Sequence, residues 1–236
     1  MAAFIPALIV VDLQEDFCPP NGSLAVQDGR SITPIINTLL RLPFALKIAT
    51  RDWHPPSHVS FAATHPGSSP FTSTYTITHS SASSSSSPSG GIPRQYTTTL
   101  WPTHCIAQTP GAQLIPELDA ARLHRVLDKG TRADREMYSA FWDPFGESDS
   151  GLAGLLRDAG VTHVYVVGLA FDYCVRATAE HAAEAGFTTV VLEDATKAVF
   201  PDKWNHVVAE LQSKGVHVVS STSSEVQKVK SLVTSR

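Results

Sequence analysis

Short apolar, β-branched runs recur along the chain, separated by longer stretches in which apolar residues return at helical spacing. The runs are "ALIVVD" (Ala7–Asp12), "ALKIATR" (Ala45–Arg51), "RVLDKG" (Arg125–Gly130), "HVYVVG" (His163–Gly168), "TTVVLED" (Thr188–Asp194) and "GVHVVS" (Gly215–Ser220). Their near-continuous apolar character suits parallel strands buried on both faces. Four helices fit between them. "GRSITPIINTLLRL" carries Pro34 near its first turn; "DSGLAGLLRDAG" offers Asp149 or Ser150 as N-cap and closes on Gly160. "DYCVRATAEHAAEAG" runs from Asp172 to Gly186, and "DKWNHVVAELQSKG" follows Pro201 and stops at Gly215. This βαβα alternation predicts an α/β protein with a mostly parallel central sheet between two helical layers. Sites in such sheets form beyond the carboxyl ends of the strands. One segment breaks the pattern. His65–Tyr96 is rich in Ser, Thr, Pro and Gly, with an unbroken serine run from Ser83 to Ser87, and reads as a loop or disordered insertion bulging from the surface.

The 236 residues suit one α/β domain spanning 1–236 with this insertion at about 65–96, and a 42% hydrophobic, 17% charged composition supplies its core. A net charge of −4 gives no electrostatic case for nucleic acid or an anionic membrane as partner. No apolar run approaches the roughly 20 residues that span a bilayer. The N-terminus lacks a basic leader and does not read as a secretory signal. Cys18, Cys105 and Cys174 are odd in number and without C-x-x-C spacing, which fits a reducing compartment, cytoplasmic or also nuclear. The oligomeric state is open, and a homo-oligomer remains a candidate.

Asp12 ends the first strand, Lys129 ends the third, and Cys174 follows the fourth across a short turn. Each has a plain reading alone: a cap, a surface lysine, an inert buried thiol. Together at one sheet edge they make a nucleophilic site. With Asp172 as N-cap, Cys174 would be the second helical residue. The helix N-terminus and a nearby ammonium would then lower its pKa and favour the thiolate. Asp12 would accept the thiol proton and later deliver it to a leaving amine, with Lys129 offsetting its charge. A second constellation follows the second strand: Asp52 and His54, two apart on a loop, form a carboxylate–imidazole pair for a divalent metal, with His58 a third candidate and His104 added from "LWPTHCIAQTPGAQL". His181, His206 and His217, on helices or strands, read as structural.

The ordered stretches "ALIVVDLQEDFCPPNGSLAV", "TRDWHPPSHVSFA", "LWPTHCIAQTPGAQL", "DKGTRADREMYSAF" and "VVGLAFDYCVRATAEHA" resemble the nicotinamidases of the isochorismatase-like cysteine hydrolases. The resemblance implies the isochorismatase-like hydrolase fold, a three-layer α/β/α sandwich. It implies hydrolysis of nicotinamide to nicotinate and ammonia in NAD salvage, through a cysteine thioester. The implied triad falls on Asp12, Lys129 and Cys174. The implied ligands, for a divalent metal that is commonly Zn2+, fall on Asp52, His54 and His104; His58 resembles a loop-fixing residue. The ring pocket matches Phe17, Trp101 and Tyr138, aromatic walls suited to a flat heteroaromatic ring. The family's cis peptide would lie at Leu169–Ala170, aiming the N–H groups of Ala170 and Cys174 at the oxyanion.

The nearest rival is a cysteine amidase acting on another small amide, pyrazinamide-like or ureido. D-W-H and W-P-x-H-C argue against the metal-free relatives. A metallohydrolase using metal-bound water would tolerate loss of the thiol, and a non-catalytic scaffold would have lost a triad residue.

Overall fold

The apolar runs do become strands. A computed structural model describes residues 3–79 and 95–232. In it β1 (Pro6–Val11), β2 (Leu46–Asp52), β5 (Arg125–Lys129), β6 (His163–Leu169), β7 (Thr188–Lys197) and β8 (His217–Val219) form one sheet in the order β5-β2-β1-β6-β7-β8. All five ladders are parallel. Side chains alternate across a strand, so each strand feeds two cores. Leu8 and Val10 of β1, Val167 of β6 and Leu192 of β7 pack under α1 (Thr33–Leu40) and α5 (Ser224–Ser231). Ala7, Ile9 and Val11, with Val164 and Val166, pack under α2 (Leu152–Asp158), α3 (Arg176–Glu184) and α4 (Trp204–Ser213). The three layers expected from the alternation are therefore present.

The backbone departs from the sequence expectations in four places. The margins of the supposed insertion are ordered: β3 (Thr74–Thr78) and β4 (Gln95–Thr99) pair antiparallel over five residue pairs, apart from the main sheet. Thr, Tyr and Ile favour a pleated backbone despite their low-complexity surroundings. The serine run Ser83–Ser87 lies outside the described residues. Helix α5 was not expected; its apolar content is little more than Val226 and Val229, one turn apart on the buried face. Helix α2 is capped by Gly151 rather than Asp149 or Ser150, whose side chains accept instead from the Gly151 and Leu152 N–H groups.

The fourth departure bears on the site. Asp172 is not an N-cap. A π-helical turn, Phe171–Val175, precedes α3 and begins after Ala170, so Cys174 sits in that turn and not in the first turn of the α-helix. The turn follows β6 through Gly168, whose φ is +108° and where a Cβ would lie 2.1 Å from the Val11 carbonyl oxygen. Only glycine lets β6 pass that close to β1. The Leu169–Ala170 peptide is cis, as is Pro19–Pro20.

Candidate active site

The sheet order brings the reactive residues together. Lys129 and Asp52 are register partners at the carboxyl ends of β5 and β2, Asp12 follows β1 next door, and the Cys174 turn follows β6 beyond it. Lys129 is 2% exposed, and its Nζ lies 2.9 Å from Asp12 Oδ2, 2.5 Å from Asp52 Oδ1 and 3.6 Å from Cys174 Sγ. The Met137 carbonyl accepts a further bond from Nζ at 3.1 Å. Thr50, two residues before Asp52, donates to Asp12 Oδ1 at 2.6 Å. Asp12 itself has a φ of +45°, a strained backbone for a residue with a Cβ.

The charges in this cluster follow from burial set against neighbours. Burial disfavours the Lys129 ammonium, but Asp12 and Asp52 outweigh it and push its pKa well up. Burial likewise opposes the Asp52 carboxylate, and Lys129 with His54 more than offset it, so its pKa falls. At Asp12 burial wins over Lys129, and Asp52 adds to it; the carboxyl is raised to about 6. Burial, only partly countered by Lys129, pushes the Cys174 thiol well above its usual range, and Asp12 and Asp52 push it further. This reverses the lowered thiol expected from the sequence. A helix N-terminus stabilises a nearby anion by about 0.3–1 kcal/mol, whereas full burial costs a charge several times that. The site thus holds a neutral thiol beside a carboxylate that takes up protons close to neutrality.

Beside it stand the metal candidates. Ligand atoms of Asp52, His54 and His104 all lie within 4.8 Å of one another, and all three residues are buried. His54 Nδ1 bonds the Gly130 carbonyl at 2.8 Å and His104 Nδ1 bonds the Pro102 carbonyl at 2.7 Å, which directs both Nε2 atoms to the cluster. Gly130 has a φ of +63°, and a Cβ there would meet the His54 ring at 2.4 Å. The segments carrying His54 and His104 are joined directly: His54 N–H donates to Cys105 O at 2.9 Å and Ala107 N–H to His54 O at 2.8 Å. The intervening hairpin therefore leaves the ligand set intact. His58 stays out of the cluster. It stacks on His54 with ring centroids 3.9 Å apart, bonds Ser60 through Nδ1, and is kept neutral by burial and by His54, with a pKa lowered to about 2. Of the histidines read as structural, His181 stacks on Trp142, while His206 and His217 are exposed.

Both clusters open onto one pocket. Phe17, Trp101 and Tyr138 line it, with Asp52, His104, Ala170 and Cys174.

The model of the isochorismatase domain matches residues 6–223. The chain belongs to the isochorismatase family. It is 39% identical over 220 residues to a nicotinamidase of Saccharomyces cerevisiae, an alignment covering 90% of this chain and 98% of that one. The structure of the yeast nicotinamidase bound to the inhibitor nicotinaldehyde superposes with a TM-score of 0.82 at 37% identity, covering 91% of this chain and 99% of the other. The pyrazinamidase of Pyrococcus horikoshii in complex with zinc superposes at 0.68 with 34% identity, covering 92% and 99%.

As an isochorismatase-family chain it carries features the sequence reading missed. Leu24, Val26, Tyr173 and Val199 complete the pocket wall; in the sequence they are ordinary apolar and aromatic residues at the margins of elements. Gln14 clamps Asp52 through its backbone, donating from Nε2 to Asp52 O and accepting from Asp52 N–H, both at 2.8 Å. Asp16 accepts from the Cys105 N–H at 2.7 Å. The acidic and polar members of "DLQED" are the signal that locates these two.

Proposed function

We propose that this protein is a nicotinamidase, hydrolysing nicotinamide to nicotinate and ammonia for NAD salvage. The carrying observation is that the Asp12–Lys129–Cys174 cluster and the Asp52–His54–His104 cluster share one aromatic-walled pocket. The likeness to the yeast nicotinamidase over nine-tenths of the chain supports the same reading.

In this reading the flat ring lies among Phe17, Trp101 and Tyr138. Cys174 Sγ attacks the carboxamide carbon while its proton passes to Asp12, which is ionised above about pH 6. The transfer suits a neutral thiol, because no free buried thiolate need form first. The N–H groups of Ala170 and Cys174 hold the oxyanion. Asp12 returns the proton to the departing ammonia, then takes one from the water that hydrolyses the thioester and passes it to the departing Cys174 sulfur. Lys129 keeps its charge throughout and balances Asp12 and Asp52.

Asp52, His54 and His104 would hold a divalent metal. A buried carboxylate with two backbone-anchored imidazoles is a donor set that suits zinc. Such an ion would supply a Lewis-acid contact for the ring nitrogen. The three free cysteines support a cytoplasmic setting. Among the described residues no helix is long and apolar enough to cross a membrane.

The test is ammonia release from nicotinamide before and after chelation. Release that falls on stripping and returns with a divalent ion is the expected result. A folded, metal-loaded protein that releases none overturns the substrate, and other small amides become the assay.

A further inference from the structure

A second cavity lies against the ring pocket. It has a volume of about 340 Å³, against about 30 Å³ for the ring pocket. The two share Tyr138 and Tyr173 as walls, and the adjacent residues Val199 and Phe200 line the ring pocket and the outer cavity respectively.

Each part of this partition is held differently. The Tyr138 hydroxyl accepts from Trp101 Nε1 at 2.9 Å and pairs with the Thr98 hydroxyl at 2.8 Å. Tyr173 belongs to the nucleophile turn, next to Cys174, and its ring meets Trp101 edge-on at 4.8 Å. The Val199–Phe200 segment has no strand or helix to hold it. Both of its N–H groups point instead to one carboxylate: Val199 donates to Asp172 Oδ1 and Phe200 to Asp172 Oδ2, each at 2.9 Å. Asp172 is 8% exposed and sits two residues before Cys174 in the same π-helical turn. Paired bonds to an ionised carboxylate are strong and fix orientation as well as distance.

We propose that Asp172 is a positioning residue that ties the Val199–Phe200 wall to the nucleophile turn and thereby restricts the site to single-ring amides. This rests on the proposed reading of the ring pocket. Without the clamp the ring pocket and the outer cavity merge, and a fused two-ring amide gains room that a single ring cannot fill.

The test reads ring binding without turnover. The metal-loaded protein is alkylated with iodoacetamide, modification of Cys174 is followed by mass spectrometry, and protection is titrated with pyridine-3-carboxylate and quinoline-3-carboxylate. In the parent protein the one-ring acid should protect and the two-ring acid should not. Asp172→Asn keeps one acceptor and loses the other. It should raise the half-protecting concentration of the one-ring acid about tenfold, let the two-ring acid protect, and leave the unprotected alkylation rate within about twofold. Val199→Ala, which spares the clamp, should move the size preference the same way, and it decides the matter if Asp172→Asn does not fold. Equal protection by both acids in the parent, an unchanged preference in the variants, or a changed alkylation rate without a changed preference each overturns the proposal. Nicotinamide turnover by the parent is measured separately, so a failed substrate assignment is not mistaken for a failed clamp.

Discussion

The two clusters in the pocket are built by opposite means. At Asp12, Lys129 and Cys174, charge is held by charge: a buried ammonium bridges two carboxylates and approaches the thiol. At His54 and His104, the rings are held by backbone carbonyls, those of Gly130 and Pro102. Asp52 belongs to both, bonding Lys129 through one oxygen and lying 3.5 Å from His54 Nε2 through the other. The first cluster should therefore fail when a charge is altered, and the second when the main chain moves.

The largest effect expected is at Cys174. Cys174→Ala should lower turnover at least about a thousandfold while leaving metal content and melting temperature close to the parent's; near-normal turnover would show that a metal-bound water is the nucleophile. Next is Lys129→Met, which leaves Asp12 and Asp52 facing each other without a counter-charge. It should abolish activity and destabilise the fold by about 3 kcal/mol, read by denaturant unfolding. The corresponding break in the second cluster is Gly130→Ala, whose methyl would displace the His54 ring. Metal affinity should fall about 10–100-fold with the triad's charges untouched, read by competition with a chelator.

The smallest effect sharpens the comparison by pH. Asp12 must be ionised to accept the thiol proton, so kcat/KM should fall as pH drops through about 6. The Thr50 hydroxyl lowers the Asp12 pKa by bonding the ionised form. Thr50→Val should accordingly move the acid limb upward by less than about one pH unit. An unmoved limb would assign it to another group.

The same contrast explains what the sequence could tell. The central strands β1 and β6 were legible because burial on both faces requires unbroken apolar runs such as "ALIVV" and "VYVVG", whereas the exposed edge strands β5 and β8 showed only as short β-branched runs. The strand-end chemistry was legible for the same reason, since Asp12 and Lys129 directly follow or end such runs. Helix α5 was hidden because it needs only Val226 and Val229 to dock. The β3–β4 pair was hidden by its Thr-rich composition, although "TYTIT" carries strand-forming residues. The state of Cys174 was not legible at all. Local spacing suggests a helix dipole and a nearby lysine, but burial and the charges of Asp12 and Asp52, which raise the thiol's pKa, come from parts of the chain far from Cys174. Pocket residues such as Leu24 and Val199 carry no sequence mark, because an apolar side chain in a connection looks alike whether it faces a ligand or the core.

The hairpin that separates the ligand-bearing segments has a mechanical consequence. Its ladder runs from Thr74 opposite Thr99 to Thr78 opposite Gln95, and Thr98 is bonded onward to Tyr138. The chain leaving Thr78 and re-entering at Gln95 is thus fastened at both ends before it can pull on His54 or His104. The five-pair ladder therefore stands between that stretch and the two segments that carry the metal candidates.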